Sequence, residues 1–375
     1  MQILREKVRL MRRWLAILPL IFLLGGCSAA RQVEGQAYAV TMAVDAAETG
    51  EMTVSVQVPS LGGAAKADGE GDDGGYVISS ATGANFEAAL SLLNETIPRM
   101  LNLSQIKSLI IAEELARRDD FGMFLREIKQ YHLLYGEAGL IICQGSARDM
   151  LEQQKALIGV RLSDSVVIAL EQYSLLGTIP RVTLATALYA SESVYEDPIA
   201  VLAAVSGAET GADYAGSLDR TGDNREEYYG GALLKDGRMV GRLSGGEMQL
   251  MNLLRGADQP MAMIVDGVAM NLERQGPPAV SVDLRGGVPV IDVKLCVLAS
   301  MTDAPFNPDE IASALATRYD ALTAHCQSLG FDPFGYARTA AAQFLTIPDW
   351  QAYDWHERFK NARVAYAITL QRTES

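Results

Sequence analysis

The thiol of Cys27 is the side chain in this 375-residue sequence whose neighbours most clearly specify a reaction. It stands directly behind Leu24-Gly25-Gly26: a large apolar residue, two residues with no bulky side chain, then cysteine. That order resembles the lipobox cut by lipoprotein signal peptidase. The small residues let an extended backbone lie in a cleft, and the cysteine takes a diacylglyceryl group before cleavage. The flanking segments agree with this. Residues 1–13 carry Arg5, Lys7, Arg9, Arg12 and Arg13 against the single acid Glu6, a positive end that stays cytoplasmic. Trp14 to Leu24 is an eleven-residue run without charge. At about 1.5 Å per residue a helix of that length falls short of the roughly 30 Å hydrocarbon layer, so it reads as the apolar part of an export signal and not as a spanning segment. Two other readings compete: a buried cysteine ending a short core helix, and a plain secretory signal cut nearby. The leading expectation is a signal peptide over residues 1–26 with lipidation at Cys27.

Other residue types that do chemistry are present without the company they need. The three histidines, His132, His325 and His356, form no HxxxH or HExxH pattern and accompany no GxSxG elbow. They read as surface or structural residues. Leu243-Ser244-Gly245-Gly246-Glu247 looks like the signature string of ABC ATPases, but that chemistry needs a phosphate-cradling GxxxxGK[ST] loop, which is missing. A turn leading into a helix N-terminus is the better account. The adjacent acids Glu113 and Glu114, and Glu226 and Glu227, have the residue types of a glycosidase pair, but neighbouring acids on a helix or linker are usually solvated. Asp68, Glu70 and Asp72 are spaced faintly like a calcium loop, yet Asp73 and Ser79 stand where an EF-hand wants Gly and Glu, so Gly62 to Gly75 reads as a solvated loop. Cys143, Cys296 and Cys326 have no ligand-like spacing and sit in or near apolar runs, which suggests buried thiols, with one disulfide still open. No catalytic residue, no cofactor and no metal site is expected, and the chain is read as a non-enzyme.

Charge narrows the partners. The formal net charge is −14, and removal of residues 1–26, with five basic and one acidic side chain, takes it to −18. So acidic a surface argues against nucleic acid and against adhesion to anionic head groups, since both require clustered Lys and Arg. Lipid on Cys27 then has to supply the attachment, and two acyl chains at about 0.8 kcal/mol per buried CH₂ suffice. No second apolar stretch spans a bilayer, because Asp266 interrupts Met261 to Met270 and Glu171 follows Val166 to Leu170.

These features must be carried by a chain too long for one ordinary domain. Ala37 to Val44 and Met52 to Val58 read as a pair of strands. Phe86, Leu90, Leu93, Ile97, Met100 and Leu101 recur at helical spacing, predicting a helix over Asn85 to Leu101. Ile106 to Ala112 and Ala138 to Cys143 read as buried strands. Phe121 to Gln130, Ser146 to Leu157 with Ser146 as N-cap, and Asp164 to Leu176 read as helices, and Pro198 to Val205 is a further apolar run. Gly207 to Glu227 is polar and Gly-rich, the best linker in the chain. Beyond it come a hairpin over Tyr228 to Leu243 turning at Lys235-Asp236-Gly237, a helix over Gly246 to Arg255, and several strands over 261–300. A long helix capped by Asn307 with Pro308 at its first position follows, then a last strand, Ala362 to Leu370. The expected fold class is α+β, mixed sheets covered by helices. The expected division is an N-terminal α/β domain over 27–206, a linker over 207–227 and a C-terminal α+β domain over 228–375, which has room for two subdomains.

Several segments, taken in order, resemble the Ger(x)C family of spore germination lipoproteins, the C subunits of nutrient germinant receptors in endospore-forming bacteria. They are the paired strands after Cys27, Ser104-Gln-Ile-Lys-Ser-Leu-Ile-Ile-Ala-Glu-Glu-Leu-Ala116, and Gly145-Ser-Ala-Arg-Asp-Met-Leu-Glu152. Gly231-Ala-Leu-Leu-Lys-Asp-Gly-Arg-Met-Val-Gly-Arg-Leu243 is similar to the family's Gly-Ala-x-Phe-x-x-x-x-x-Val-Gly pattern, with Leu234 in place of Phe. Asp332-Pro-Phe-Gly335, Trp350, Trp355 and the strand Ala365 to Arg372 resemble its C-terminal end. Ser28-Ala-Ala-Arg-Gln-Val33 departs from the Trp-Asp-Arg-Arg-Glu-Leu common after the lipid cysteine. The resemblance implies an ectodomain lipid-anchored at Cys27 to the outer face of the cytoplasmic (spore inner) membrane. It implies work beside two integral membrane subunits, of A and B type, by protein contacts in assembly or signalling. The alternative from a different class is a solute-binding lipoprotein of an importer, which a two-lobed fold with a deep ligand cleft would favour.

Overall fold

A computed structural model describes residues 35–59, 75–130, 136–155, 162–208, 213–219, 222, 224–256, 259–300 and 304–372. Cys27 with the signal segment 1–26, His132 and most of the loop 62–75 lie outside the described residues. The expectation of mixed sheets covered by helices is met: two large sheets carry the fold, with a two-stranded parallel piece beside the first.

The first sheet has the order β10-β9-β8-β7-β6-β2-β3-β4. Its middle is parallel: β2 (Thr41–Ala46), β6 (Ser108–Ala112), β7 (Gly139–Gln144) and β8 (Ile199–Val205). Both faces of this middle are covered, which is why Leu109-Ile110-Ile111 and Leu140-Ile141-Ile142-Cys143 are apolar without alternation. On one face Val44, Leu109, Ile111 and Ile142 pack against Phe86, Leu90 and Leu93 of α1 (Phe86–Thr96) and Phe121, Phe124 and Ile128 of α3 (Phe121–Gln130), which follows the single turn α2 (Glu113–Ala116). On the other, Ile110, Ile141 and Val201 pack against Met150 and Leu151 of α4 (Ala147–Gln153) and Tyr173 of α5 (Leu162–Leu175). The outer strands run antiparallel: β3 (Met52–Pro59) and β4 (Tyr76–Gly83) at one end, β9 (Glu226–Lys235) and β10 (Arg238–Leu243) at the other. The small piece pairs β1 (Gln36–Tyr38) with β5 (Met100–Asn102).

The predicted helix over Asn85 to Leu101 stops at Thr96. Pro98 disfavours helical geometry in the residue before it, and Ile97 is extended at φ −92°, ψ 125°. Met100 and Leu101 therefore join β5. A helix the sequence reading missed, α6 (Leu184–Glu192), has a capping box built from Thr183 and Thr186 instead of the usual Ser/Thr and Glu.

The second sheet is made of β11 (Met261–Val265), β12 (Val268–Arg274), β13 (Ala279–Asp283), β14 (Val290–Ser300) and β15 (Arg363–Arg372). β12 and β13 follow one another along one side of β14, and β15 runs parallel to β14 along the other. This sheet is covered on one face only, so its strands alternate: along β14, Ile291, Val293 and Leu295 are buried while Val290, Asp292 and Lys294 are exposed. The covering layer is α7 (Gly245–Arg255) and α8 (Pro308–Leu329), with α9 (Tyr336–Ala341), α10 (Ile347–Tyr353) and α11 (Trp355–Phe359) filling the end. Asp332 holds that end together. Its fully enclosed carboxylate accepts from the amides of Phe334 (3.2 Å), Gly335 (3.0 Å) and Ala337 (2.7 Å) and from the Trp355 indole (3.2 Å).

The polar stretch 207–227, read as a linker, leaves β8 and returns as β9, two strands that pair with each other in the first sheet. β9 also lies between two cores, with Leu234 pointing into the first and Leu233 into the second. The pairing carries a bulge in which Tyr229 and Gly230 oppose one residue of β8. Gly230 sits at φ +102°, its N–H donates to Thr178 O at 2.9 Å, and a Cβ there would lie 2.4 Å from Leu243 O.

Two outcomes follow from this packing. Gly230→Ala should lower the unfolding free energy by about 2–4 kcal/mol, combining left-handed backbone strain with a backbone clash. Gly276→Ala, also at positive φ but with open space around it, should cost only about 1–2 kcal/mol. Urea midpoints compare them, and equal losses would contradict the clash. Asp332→Ala should cost several kcal/mol, since each buried donor left unmet costs about 1–3 kcal/mol. Asp332→Asn, which keeps one acceptor oxygen, should lose clearly less in the same assay.

Candidate functional site

Among the described residues, the side chains singled out for chemistry are dispersed, and most are engaged locally. The Cys143 thiol is buried, bonds to Gln144 O at 3.3 Å, and is pushed up to about 12 by its burial. Cys326 is buried on α8 and likewise shifted upward by desolvation. Cys296 was expected to be buried, but it is only half-buried, because the alternation of β14 turns it to the uncovered face of the second sheet. All three are free thiols. Leu243-Ser244-Gly245-Gly246-Glu247 is a turn entering α7: the Ser244 hydroxyl accepts from Glu247 N and Glu247 accepts from Ser244 N. Gly245 is required there because a Cβ would meet the Tyr229 ring at 2.1 Å.

Of the paired acids Glu114 is exposed, as expected, and the other three correct the expectation of solvated carboxylates. Glu113, Glu226 and Glu227 are 7, 7 and 2 % exposed. Glu113 is gripped by Arg117 and by Arg242 of β10, at 2.6 Å each. Glu226 accepts from the Tyr228 hydroxyl at 2.5 Å and Lys155 N at 3.2 Å. Glu227 accepts from the amides of Gly216 (2.6 Å) and Leu218 (3.3 Å). Each carboxylate is used to hold its own neighbourhood, and in the strand pair the side chains at 226 and 227 point to opposite faces.

The residues the fold does bring together form a joint. Val194-Tyr195-Glu196-Asp197, between α6 and β8, is met residue by residue from the three short helices of the C-terminal half. The Trp350 indole donates to Val194 O at 2.7 Å, and the same ring packs on Tyr195 at 6.1 Å between centroids. Arg338 pairs with Glu196, and His356 Nε2 meets Asp197 Oδ2 at 2.9 Å. A second contact runs from α7, where Asn252 donates to Gly177 O (2.8 Å) and Ile179 O (3.1 Å) and Gln249 donates to Leu176 O (3.0 Å). Beside it His325 Nδ1 meets Glu247 Oε1 at 2.7 Å.

Both imidazoles titrate above their ordinary value, because the hydrogen bond to the partner carboxylate outweighs the desolvation that opposes it. A raised folded-state pKa favours the protonated ring, so these pairs add stability below the ordinary imidazole pKa and lose it as pH rises through the raised values. The joint has the chemistry of a mechanical and electrostatic coupling between two packed bodies. Sequence reasoning missed Val194 to Asp197 altogether. Trp350 was noted only through the resemblance, and His356 only as a surface or structural residue.

Comparison with known proteins places the chain. The profile of the spore germination protein N-terminal domain matches residues 29–205, and that of the spore germination B3/GerAC-like C-terminal domain matches residues 229–374. The chain is 22 % identical over 374 residues to YfkR of Bacillus subtilis (strain 168), a candidate spore germination protein, covering 93 % of each chain. Its fold is similar to the crystal structure of the GerBC protein, with a TM-score of 0.51, 16 % identity, and coverage of 89 % of this chain and 97 % of that one. The first matched region ends with β8 and the second opens three residues into β9, its neighbour in the same sheet. With both profiles matched in order over most of its length, the chain belongs to the GerAC-like family of spore germination proteins.

Proposed function

We propose that this chain is the lipid-anchored C subunit of a spore nutrient germinant receptor, acting without catalysis, by protein contacts in receptor assembly or signalling. The observation that carries the reading is the placement of the family match. It opens at residue 29, two positions after the lipobox-like Cys27, and continues to residue 374. In this reading residues 1–26 are removed, and lipid on Cys27 holds the ectodomain at the outer face of the cytoplasmic (spore inner) membrane. Two integral subunits, of A and B type, are its partners there. The units are 27–206 and 228–375, linked by 207–227, with the second unit's first hairpin inserted in the first unit's sheet.

Two features support the assignment. Among the described residues no helix is long and apolar enough to cross a membrane, which is compatible with attachment through lipid on Cys27 and through protein contact. The joint at Val194 to Asp197 and the β8–β9 pairing fix the two units to each other, so a contact made on one displaces the other with it.

The test is Cys27→Ala in the sporulating host. The variant chain should fold with an unchanged melting profile, leave the membrane fraction, and reduce the spore response to nutrient, with less of the integral partners recovered alongside it. Full nutrient response from a chain recovered in the soluble fraction would sink the anchoring part of the proposal. A deletion that leaves responses to every nutrient unchanged, with partner subunits at normal levels, would sink the receptor assignment itself.

A further inference from the structure

The two edges of the second sheet are treated differently. At β11 the carbonyls of the alternate residues Ala262 and Ile264 are met by helix side chains: Gln249 donates to the first at 3.0 Å and Arg318 to the second at 2.8 Å. That edge is closed to a further strand. Among the described residues β15 has no such cover. Its ten residues run in unbroken parallel register with β14, from Arg363 opposite Val290 to Arg372 opposite Ala299. Among the described residues, no hydrogen bond beyond that ladder reaches the backbone of 364–372.

The usual protections of an edge are also missing from the sequence of this strand. Val364 to Gln371 contains no charge, no proline and no bulge, and Ala365, Ala367 and Thr369 stand exposed on the uncovered face with small side chains. An unbulged, uncharged edge of this length is what strand addition uses, with main-chain bonds giving affinity and alternate side chains giving selectivity.

Charge decides what kind of strand fits. Arg363 and Arg372 mark the two ends, and neither is in an ion pair among the described residues. Arg372 lies over the Phe306 ring at 5.6 Å. A second copy of this chain, paired antiparallel with full overlap, would bring Arg363 of each copy beside Arg372 of the other at both ends, and like charges at that spacing repel. Parallel self-pairing gives no closed two-fold dimer. We propose that the free edge of β15 docks an extended segment of a different protein as an added strand, with acidic residues of that segment meeting Arg363 and Arg372. This goes beyond the receptor assignment and stands on the strand geometry and the two end charges.

The experiment uses the full chain and a synthetic peptide of alternating Thr and Val, matched in length to β15, with Asp at each end. A control peptide carries Lys at each end. Amide hydrogen exchange is followed along 363–372, and affinity is measured by fluorescence anisotropy at low salt. The Asp-ended peptide should slow exchange at alternate β15 amides and bind about tenfold more tightly than the Lys-ended one, as expected from two opposite-charge contacts replaced by two like-charge ones. The surface double variant R363E/R372E should reverse the preference. The proposal is overturned if neither peptide changes exchange, if both bind equally, or if exchange along β15 slows with protein concentration alone, which would give the edge to a second copy.

Discussion

The antiparallel contact between β8 and β9 is the interaction on which the rest of this molecule depends. β8 closes the parallel run of the first sheet, and β9 opens the chain segment that goes on to build the second. Because successive side chains of β9 point to opposite faces, Leu233 and Leu234 feed two different hydrophobic cores from adjacent positions. A slip of one residue in this pairing would exchange them and disturb both cores at once. The bulge at Tyr229 and Gly230 pins the register, and the Gly230 N–H bonded to Thr178 O ties it to the loop that α7 also holds. Arg242 of the same hairpin then reaches Glu113, the first residue of α2.

The two sheets answer the problem of burial in different ways. The first is covered on both sides and its central strands are apolar throughout. The second is covered on one side and alternates. This difference sets where polar groups are tolerated. Around the first sheet, carboxylates are drawn inside and matched, Glu113 by arginines and Glu227 by backbone amides. Under the second, a single carboxylate, Asp332, organises a terminal cap rich in aromatic rings, in which Trp355 stacks on Phe359 and packs near Trp350. An unmatched charge in either place would be costly, and hydrogen bonding to several donors is what makes it affordable.

How much of this was legible in the sequence follows from how far apart the partners lie. The buried strands Ile106 to Ala112 and Ala138 to Cys143, the long helix behind Asn307 and Pro308, and the hairpin at Lys235-Asp236-Gly237 are written locally, in runs of apolar residues and in turn and cap residues. The stop at Pro98 was equally local, and was outweighed by helical spacing that continued past it. The short helices α9 to α11, of five to seven residues, are too brief for periodicity to show. The joint was invisible for a different reason. Glu196, Val194 and Asp197 find partners 142, 156 and 159 positions away, and Glu113 finds Arg242 at a separation of 129. Nothing in a local window distinguishes such an acid from a solvated one. Family resemblance did register Trp350, Trp355 and Asp332, because it records which residues recur without recording what they touch.

The insertion of the β9–β10 hairpin into the first sheet also changes what a cut in the chain can do. The connection between β8 and β9 carries the covalent continuity of the two halves and adds Ala215 to the first core, but much of their cohesion lies elsewhere, in the strand ladder, the Leu233 and Leu234 packing and the Val194 to Asp197 grip. Cleavage at a peptide bond of that connection would therefore leave two fragments clasped as one body, whereas a fragment beginning at β9 and made alone would present a bare strand edge and an orphaned apolar face. The halves of this protein are separable in sequence and joined by packing.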